Sequence, residues 1–219
     1  MSLADTPRDG VEDVPARDLP PDRARTGAPA GGTAQPTALQ PLTDGAGDGP
    51  RPAGALRPNA RFLRSHPAHA LALAFGAGLS PVAAGTVGTL WAWLVWALLI
   101  DRFSPAGQGV VIGLTLLLSV WASTVTARHL RTADPGAIVI DEVVAFWIVL
   151  WLISPASFWA QAVAFALFRF FDAAKPGPVR WADRLLHGAR GWKGGFGIVL
   201  DDLVAAFCTL LVIALWRSW

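Results

Sequence analysis

The sequence predicts an all-α fold: a membrane-embedded helical bundle with a disordered N-terminal tail. Three observations point there. The 219-residue chain is 53% hydrophobic and only 16% charged, with a mean hydropathy of +0.43; ordinary soluble domains carry about 25% charge. Its apolar residues are gathered into five separate stretches rather than scattered. Those stretches are rich in Val and Ile, but open strand edges are excluded from lipid, so they read as helices. A formal charge of +2 is too small to argue for a nucleic-acid partner. Eleven Trp and no Tyr make Trp the interfacial anchor. The single cysteine, Cys208, excludes a disulfide framework, and its apolar run is the wrong place for a thiolate nucleophile.

Residues 1–58 are rich in Pro, Gly, Ala, Asp and Arg and nearly empty of large apolar side chains. Such a segment cannot bury enough surface to offset its ordering entropy, so it reads as a disordered tail. It has no continuous apolar core of the kind a signal peptide needs. Residues 59–219 form the membrane domain. The five stretches run from about Val82 to Ile100, Gly109 to Thr126, Ile138 to Ser154, Phe158 to Phe171 and Phe196 to Trp216. A spanning helix needs ~20 apolar residues. The second and fifth stretches meet that test, and the third does so only if its Asp-Glu pair lies at one end. The fourth is short and reads as tilted, partial or re-entrant. Arg57, Arg61 and Arg64 precede the first stretch, Arg128 and Arg131 follow the second, and six cations from Arg169 to Lys193 separate the fourth from the fifth. The positive-inside rule puts these three basic segments in the cytoplasm, so five crossings leave Arg217 outside.

That threading brings several polar motifs to one membrane face. Ile138-Val139-Ile140-Asp141-Glu142-Val143-Val144-Ala145 is nearly repeated 60 residues later as Ile198-Val199-Leu200-Asp201-Asp202-Leu203-Val204-Ala205. Four carboxylates in apolar surroundings repel one another and are expensive to desolvate, so a cation must neutralise them. Asp141, Glu142, Asp201 and Asp202 therefore read as ligands of a hydrated divalent metal such as Mg²⁺. Helix N-capping is the plainer alternative, but a cap needs one acid per helix and usually follows turn residues.

Phe168 to Arg184 packs Arg169, Lys175, Arg180 and Arg184 with Asp172 and Asp183 at the same edge. Arg169, Lys175 and Arg180 suit phosphate contact. An ordinary positive-inside loop accounts equally well for the cations, but for neither acid. Ser80, Thr86 and Thr89 belong to a Gly/Ser/Thr-rich stretch, Gly76 to Thr89, able to cradle phosphate at a helix start or simply to pack helices closely. His187 reads as a solvated loop histidine. No Gly-Lys-Ser/Thr loop, Gly-x-Ser-x-Gly elbow or His-Glu-x-x-His appears. Carboxylates, cations and a metal together suit metal-assisted hydrolysis at phosphorus.

The motifs Phe75-Gly76-Ala77-Gly78-Leu79-Ser80-Pro81, Gly85-Thr86-Val87-Gly88-Thr89, Ile140-Asp141-Glu142, Phe168-Arg169-Phe170-Phe171-Asp172 with Lys175-Pro176, and Gly194-Gly195-Phe196-Gly197 with Asp201-Asp202 resemble, in order, those of the phosphatidylglycerophosphatase A family. The resemblance runs from about His66 to Trp216. It departs at Ala84, Ala145 and Gly177, and no departure removes a carboxylate or a cation. It implies a Mg²⁺-dependent phosphatase of the bacterial inner membrane that converts phosphatidylglycerophosphate to phosphatidylglycerol and inorganic phosphate; the threading above puts its site on the cytoplasmic face. Its implied partners are that substrate and membrane lipid. Asp141, Glu142, Asp172, Arg169, Lys175 and Arg180 are then expected to carry catalysis. Ser80, Thr86, Thr89, Arg180 and Asp183 are expected to bind substrate. A small cation or proton transporter is the alternative, distinguished by the depth of its acids, which would lie near the midplane.

Overall fold

The structure, a computed structural model, describes residues 39–41, 56–132, 135–186 and 188–219. The disordered tail expected over 1–58 therefore lies almost wholly outside the described residues. Within that range Leu39–Pro41 (β1) and Leu56–Pro58 (β2) pair antiparallel, Leu39 opposite Pro58.

Every predicted apolar stretch is a helix, and two short helices precede them. In α1, Ala60–Ser65, the Asn59 carbonyl oxygen of the side chain accepts the Arg61 and Phe62 amides at 3.0 Å. In α2, Pro67–Ala72, Pro67 opens the first turn and His66 Nδ1 accepts the Ala68 amide at 3.1 Å. A 3₁₀ segment, Ala74–Leu79, leads to α3, Ala84–Leu98. Next come α4, Pro105–Leu130, α5, Ile140–Ile153, and α6, Phe158–Ala174. The chain ends with α7, Pro178–Leu185, and α8, Trp192–Arg217.

Ten of the fourteen residues of α5 are buried, and α3, α4, α6 and α8 pack around it. Indole N–H groups tie the ring together: Trp147 Nε1 donates to the Ala92 carbonyl at 2.9 Å and Trp93 Nε1 to Gln161 Oε1 at 2.7 Å. The approach of α8 to α4 depends on Gly195, where a Cβ would overlap Thr124 Oγ1 and press on the Val120 carbonyl. Small residues let membrane helices close in this way. The outer faces are the reverse of the core. Leu94, Leu98, Leu114, Leu117, Phe207, Leu211 and Leu215 are exposed, a belt that water would penalise and lipid accepts.

Among the described residues, three segments are long and apolar enough to cross a membrane: Ala84–Arg102, Pro105–Leu130 and Trp192–Arg217. At 14 and 17 residues, α5 and α6 reach only about 21 and 25 Å, less than the ~30 Å hydrocarbon core. They form a hairpin, with Phe146 against Phe165 and Phe168 and the end of α6 beside the start of α5. A hairpin returns to the side it left, so the direction of α8 does not depend on whether this one crosses.

A histidine pair fastens α2 to α4. His69 Nδ1 lies 2.9 Å from the Phe62 carbonyl oxygen, which only accepts, so that nitrogen carries the proton. His69 Nε2, 2.8 Å from His129 Nδ1, is then the acceptor. Burial holds the His69 pKa below 6.5; the Phe62 bond opposes the shift, and His129 and His66 add to it. The unfolded chain thus takes a proton more readily, so this residue contributes stability above pH 6.5 that is lost as pH falls through that value. In detergent, the melting temperature should drop between about pH 7.5 and about pH 5.5, and drop less in His69→Gln. Equal slopes in the two proteins would exclude the pair as the source.

Candidate active site

The acids open α5 but lie deep in α8. Asp141 and Glu142 are the second and third residues of α5, whose N-cap, Val139, has no capping side chain. Asp201 and Asp202 are the tenth and eleventh of α8, about three turns from its start at Trp192. N-capping is therefore impossible for the second pair, because backbone amides that far into a helix are already bonded. The helix begins earlier than the apolar run because Gly194 and Gly195, poor helix formers, are needed for packing.

Asp141, Glu142 and Asp202 each present one carboxylate oxygen, all three within 4.8 Å of one another. Glu142 Oε2 and Asp202 Oδ2 are buried without a hydrogen-bond partner. The fourth predicted ligand, Asp201, lines the same cavity of about 180 Å³ but turns Oδ2 to Lys175 Nζ at 2.5 Å.

Two cations flank the acids. Arg169, near the end of α6, bonds Asp172 one turn later through Nη1, which also lies 3.9 Å from Glu142 Oε1 and 3.5 Å from Thr89 Oγ1. Its Nε is buried and unpartnered. Gly85, in the first turn of α3, makes room for this arrangement: a Cβ there would overlap Glu142 Oε1 and come within 3.1 Å of Arg169 Nη2.

Lys175 is placed by the bend Lys175-Pro176-Gly177-Pro178. A residue before proline is pushed out of the helical region, and proline has no amide to continue the ladder. The helix stops here, and Lys175 caps α6 with φ 45 and ψ 54, a left-handed conformation that strains a residue with a Cβ. Pro178 opens α7, which brings Asp183 Oδ1 to 2.6 Å from Lys175 Nζ. Burial opposes the Lys175 charge, but hydrogen bonds and charges from Asp183 and Asp201 outweigh it and hold the pKa above the ordinary lysine value.

The other predicted residues are placed differently. Thr89 is fully buried, and its hydroxyl donates to the Gly85 carbonyl at 2.8 Å, so it braces Arg169. Ser80 donates to the Val82 carbonyl at 2.7 Å within a turn. Thr86 is partly exposed on the first turn of α3, Arg180 is exposed on α7, and neither lines the cavity. His187 lies outside the described residues. Sequence reasoning missed the spatial role of Gly85, although it marked the Gly85–Thr89 stretch; a glycine in the first turn of a helix near acids is the only signal it leaves.

Six carboxylates line the cavity, from Asp141, Glu142, Asp172, Asp183, Asp201 and Asp202, and Lys175 and Arg169 are the cations bonded to them among the described residues. The converging oxygens and their unpartnered atoms fit a hard divalent cation such as Mg²⁺, which takes oxygen ligands.

Comparison with known proteins agrees with this chemistry. The family model described as phosphatidylglycerophosphatase A matches residues 70–217. The phosphatidylglycerophosphatase A of Escherichia coli (strain K12) is 38% identical over 146 residues, covering 66% of this chain and 80% of the relative. That of Haemophilus influenzae is 36% identical over 154 residues, covering 70% and 91%. A Bacteroides thetaiotaomicron protein provisionally named a phosphatidylinositol-3-phosphatase is 33% identical over 148 residues, covering 65% and 89%. No solved structure matches the chain.

Gly85→Ala tests the geometry. Glu142 is flexible enough to move aside, so the fold should survive with its melting temperature nearly unchanged. The displaced carboxylate should weaken divalent-cation binding, read by electron paramagnetic resonance of Mn²⁺, by roughly tenfold or more. An unchanged affinity would show that the space beside Gly85 does not matter to the site.

Proposed function

This chain belongs to the phosphatidylglycerophosphatase A family, a family of phosphatases, and we propose that it is a Mg²⁺-dependent phosphatidylglycerophosphate phosphatase. It hydrolyses the terminal phosphomonoester of its lipid to give phosphatidylglycerol, a step of phospholipid biosynthesis. The observation that carries this reading is the meeting of Asp141, Glu142 and Asp202 within 4.8 Å, beside Arg169. The membrane is the bacterial inner membrane. The site faces the cytoplasm, in keeping with the basic segments gathered at the same end as the acids.

Asp141, Glu142 and Asp202 hold the metal. Mg²⁺, when bound, supplies Lewis-acid stabilisation of charge on the phosphoryl oxygens. Arg169 and Lys175 offset the charge that builds on the phosphoryl group, and they do so from fixed positions. Asp172 and Thr89 orient Arg169. Asp183 and Asp201 orient Lys175 and keep it protonated. Because both cations are held before substrate arrives, little reorganisation is needed during reaction. Arg180, Ser80 and Thr86 are assigned to the rest of the headgroup, since none of them lines the cavity.

A cation or proton transporter fits less well. Its acids would sit near the bilayer midplane, whereas Asp141 and Glu142 stand at the very start of α5, where Asp202 of α8 meets them.

The direct test is phosphate release from phosphatidylglycerophosphate by purified protein in mixed micelles. Release should require Mg²⁺ and stop in excess EDTA; full activity after exhaustive chelation would overturn the metal assignment. Asp141→Asn and Asp202→Asn should each lower kcat by about 10²-fold or more. The double variant should be little worse than either single, because groups serving one metal act as a unit. Losses that multiply would mean the two acids act separately.

A further inference from the structure

A second cavity, of about 340 Å³, lies against the first, and the two share Ala189 and Gly194 in their walls. The partition is thin: a Cβ on Gly194 would overlap the Ala189 carbonyl oxygen, so loop and helix backbones touch there. The two cavities are opposite in charge. No carboxylate among the described residues lines the second, whereas Arg128, Arg131 and Arg190 do, together with Thr124 and Thr132. Among the described residues, none of these three arginines has an acidic partner.

Membrane orientation alone does not explain this. The positive-inside rule asks for cations on a face, not for arginines from two segments about 60 residues apart to border one hollow. Arg184 and Lys193 meet the same rule while lining neither cavity. The uncapped first turn of α8 also begins at this hollow, at Gly191, adding free amides to the guanidinium groups. Arginine forks match tetrahedral oxyanions with paired hydrogen bonds, and the hydroxyl of Thr132 adds a further donor.

We propose that this second cavity is a binding subsite for a phosphodiester anion, next to the centre that hydrolyses the phosphomonoester. The proposal rests on the phosphatase reading above. The lipid proposed there carries both groups: an internal diester joins the headgroup to the lipid, and a monoester ends it. One molecule can thus present its terminal phosphate to the acids and its diester to the arginines. A neighbouring anionic lipid is the other source of the same chemistry. The subsite selects for the lipid headgroup without taking part in bond cleavage.

The test compares wild type with the triple variant Arg128→Gln, Arg131→Gln, Arg190→Gln. A control carries Arg184→Gln and Lys193→Gln, which lower surface charge without touching the cavity. All are full-length chains in neutral mixed micelles. Phosphatidylglycerol probes the diester alone, and inorganic phosphate probes the monoester site alone. The triple variant should raise KM for phosphatidylglycerophosphate about tenfold or more, as expected for loss of at least one charge-assisted hydrogen bond. Its kcat and its inhibition by inorganic phosphate should stay near wild type, and its response to phosphatidylglycerol should disappear. In the wild type, phosphatidylglycerol should compete with substrate if the subsite holds the substrate's own diester, and should activate without competing if it holds a neighbour's. If the triple variant does not fold, Arg190→Gln in the exposed loop carries the test. Unchanged KM and unchanged response to phosphatidylglycerol would overturn the subsite and leave the phosphatase reading intact. So would an equal change in the control. A wild type that releases no phosphate would overturn both.

Discussion

The carboxylates of Asp141, Glu142 and Asp202 repel one another inside an apolar bundle, and the polar end of the molecule is built around that repulsion. At 4.8 Å and an effective dielectric of about 20, each pair of ionised groups opposes folding by roughly 3 kcal/mol before desolvation is counted. Only cations held in place can offset this. Arg169 reaches the cluster from α6, fixed by Asp172 and by the hydroxyl of Thr89. Lys175 reaches the same cavity from the bend after α6, fixed by Asp183 and Asp201. Even so, buried oxygens on Glu142 and Asp202 are left without partners. An apolar bundle with no task for these groups would be more stable without them.

Much of this was legible in the sequence, and the reasons for the rest are physical. Membrane helices announce themselves because lipid permits no other use for a long apolar run, so all five stretches became helices. That Asp141 and Glu142 come together with Asp202 was legible too, since the threading brings their segments to one place. The near-repeat of Ile138–Ala145 in Ile198–Ala205 was misleading in one respect. It suggests two equivalent acidic pairs, yet the first opens its helix and the second lies three turns inside another. The start of α8 is hidden because Gly194 and Gly195 look like a loop by propensity; what makes them helical is contact with α4, which sequence alone does not display. The amphipathic α7 was hidden in the same way, inside a segment legible only as a basic loop. Thr89 illustrates a third limit: a hydroxyl beside a phosphate site was foreseen, but not that it would serve a neighbouring arginine.

Charge is also sorted within the polar end. Carboxylates line one hollow and arginines the next, divided by the contact of Ala189 with Gly194. Net charge, at +2, conceals this arrangement completely. The helical frame makes it possible: the start of α5, the end of α6 and the third turn of α8 supply acids, while the end of α4 and the loop before α8 supply the arginines.

The left-handed backbone at Lys175 bears on protein engineering. Glycine would relax that conformation, and a redesign scored on backbone strain alone would favour it. The exchange would strip Asp201 and Asp183 of their shared ammonium, and the unpaired carboxylates would cost more folding energy than the relaxed backbone returns. Position 175 is therefore one where a rule about backbone conformation misleads when read without the charges around it, and a stabilised version of this protein has to be sought elsewhere in the bundle.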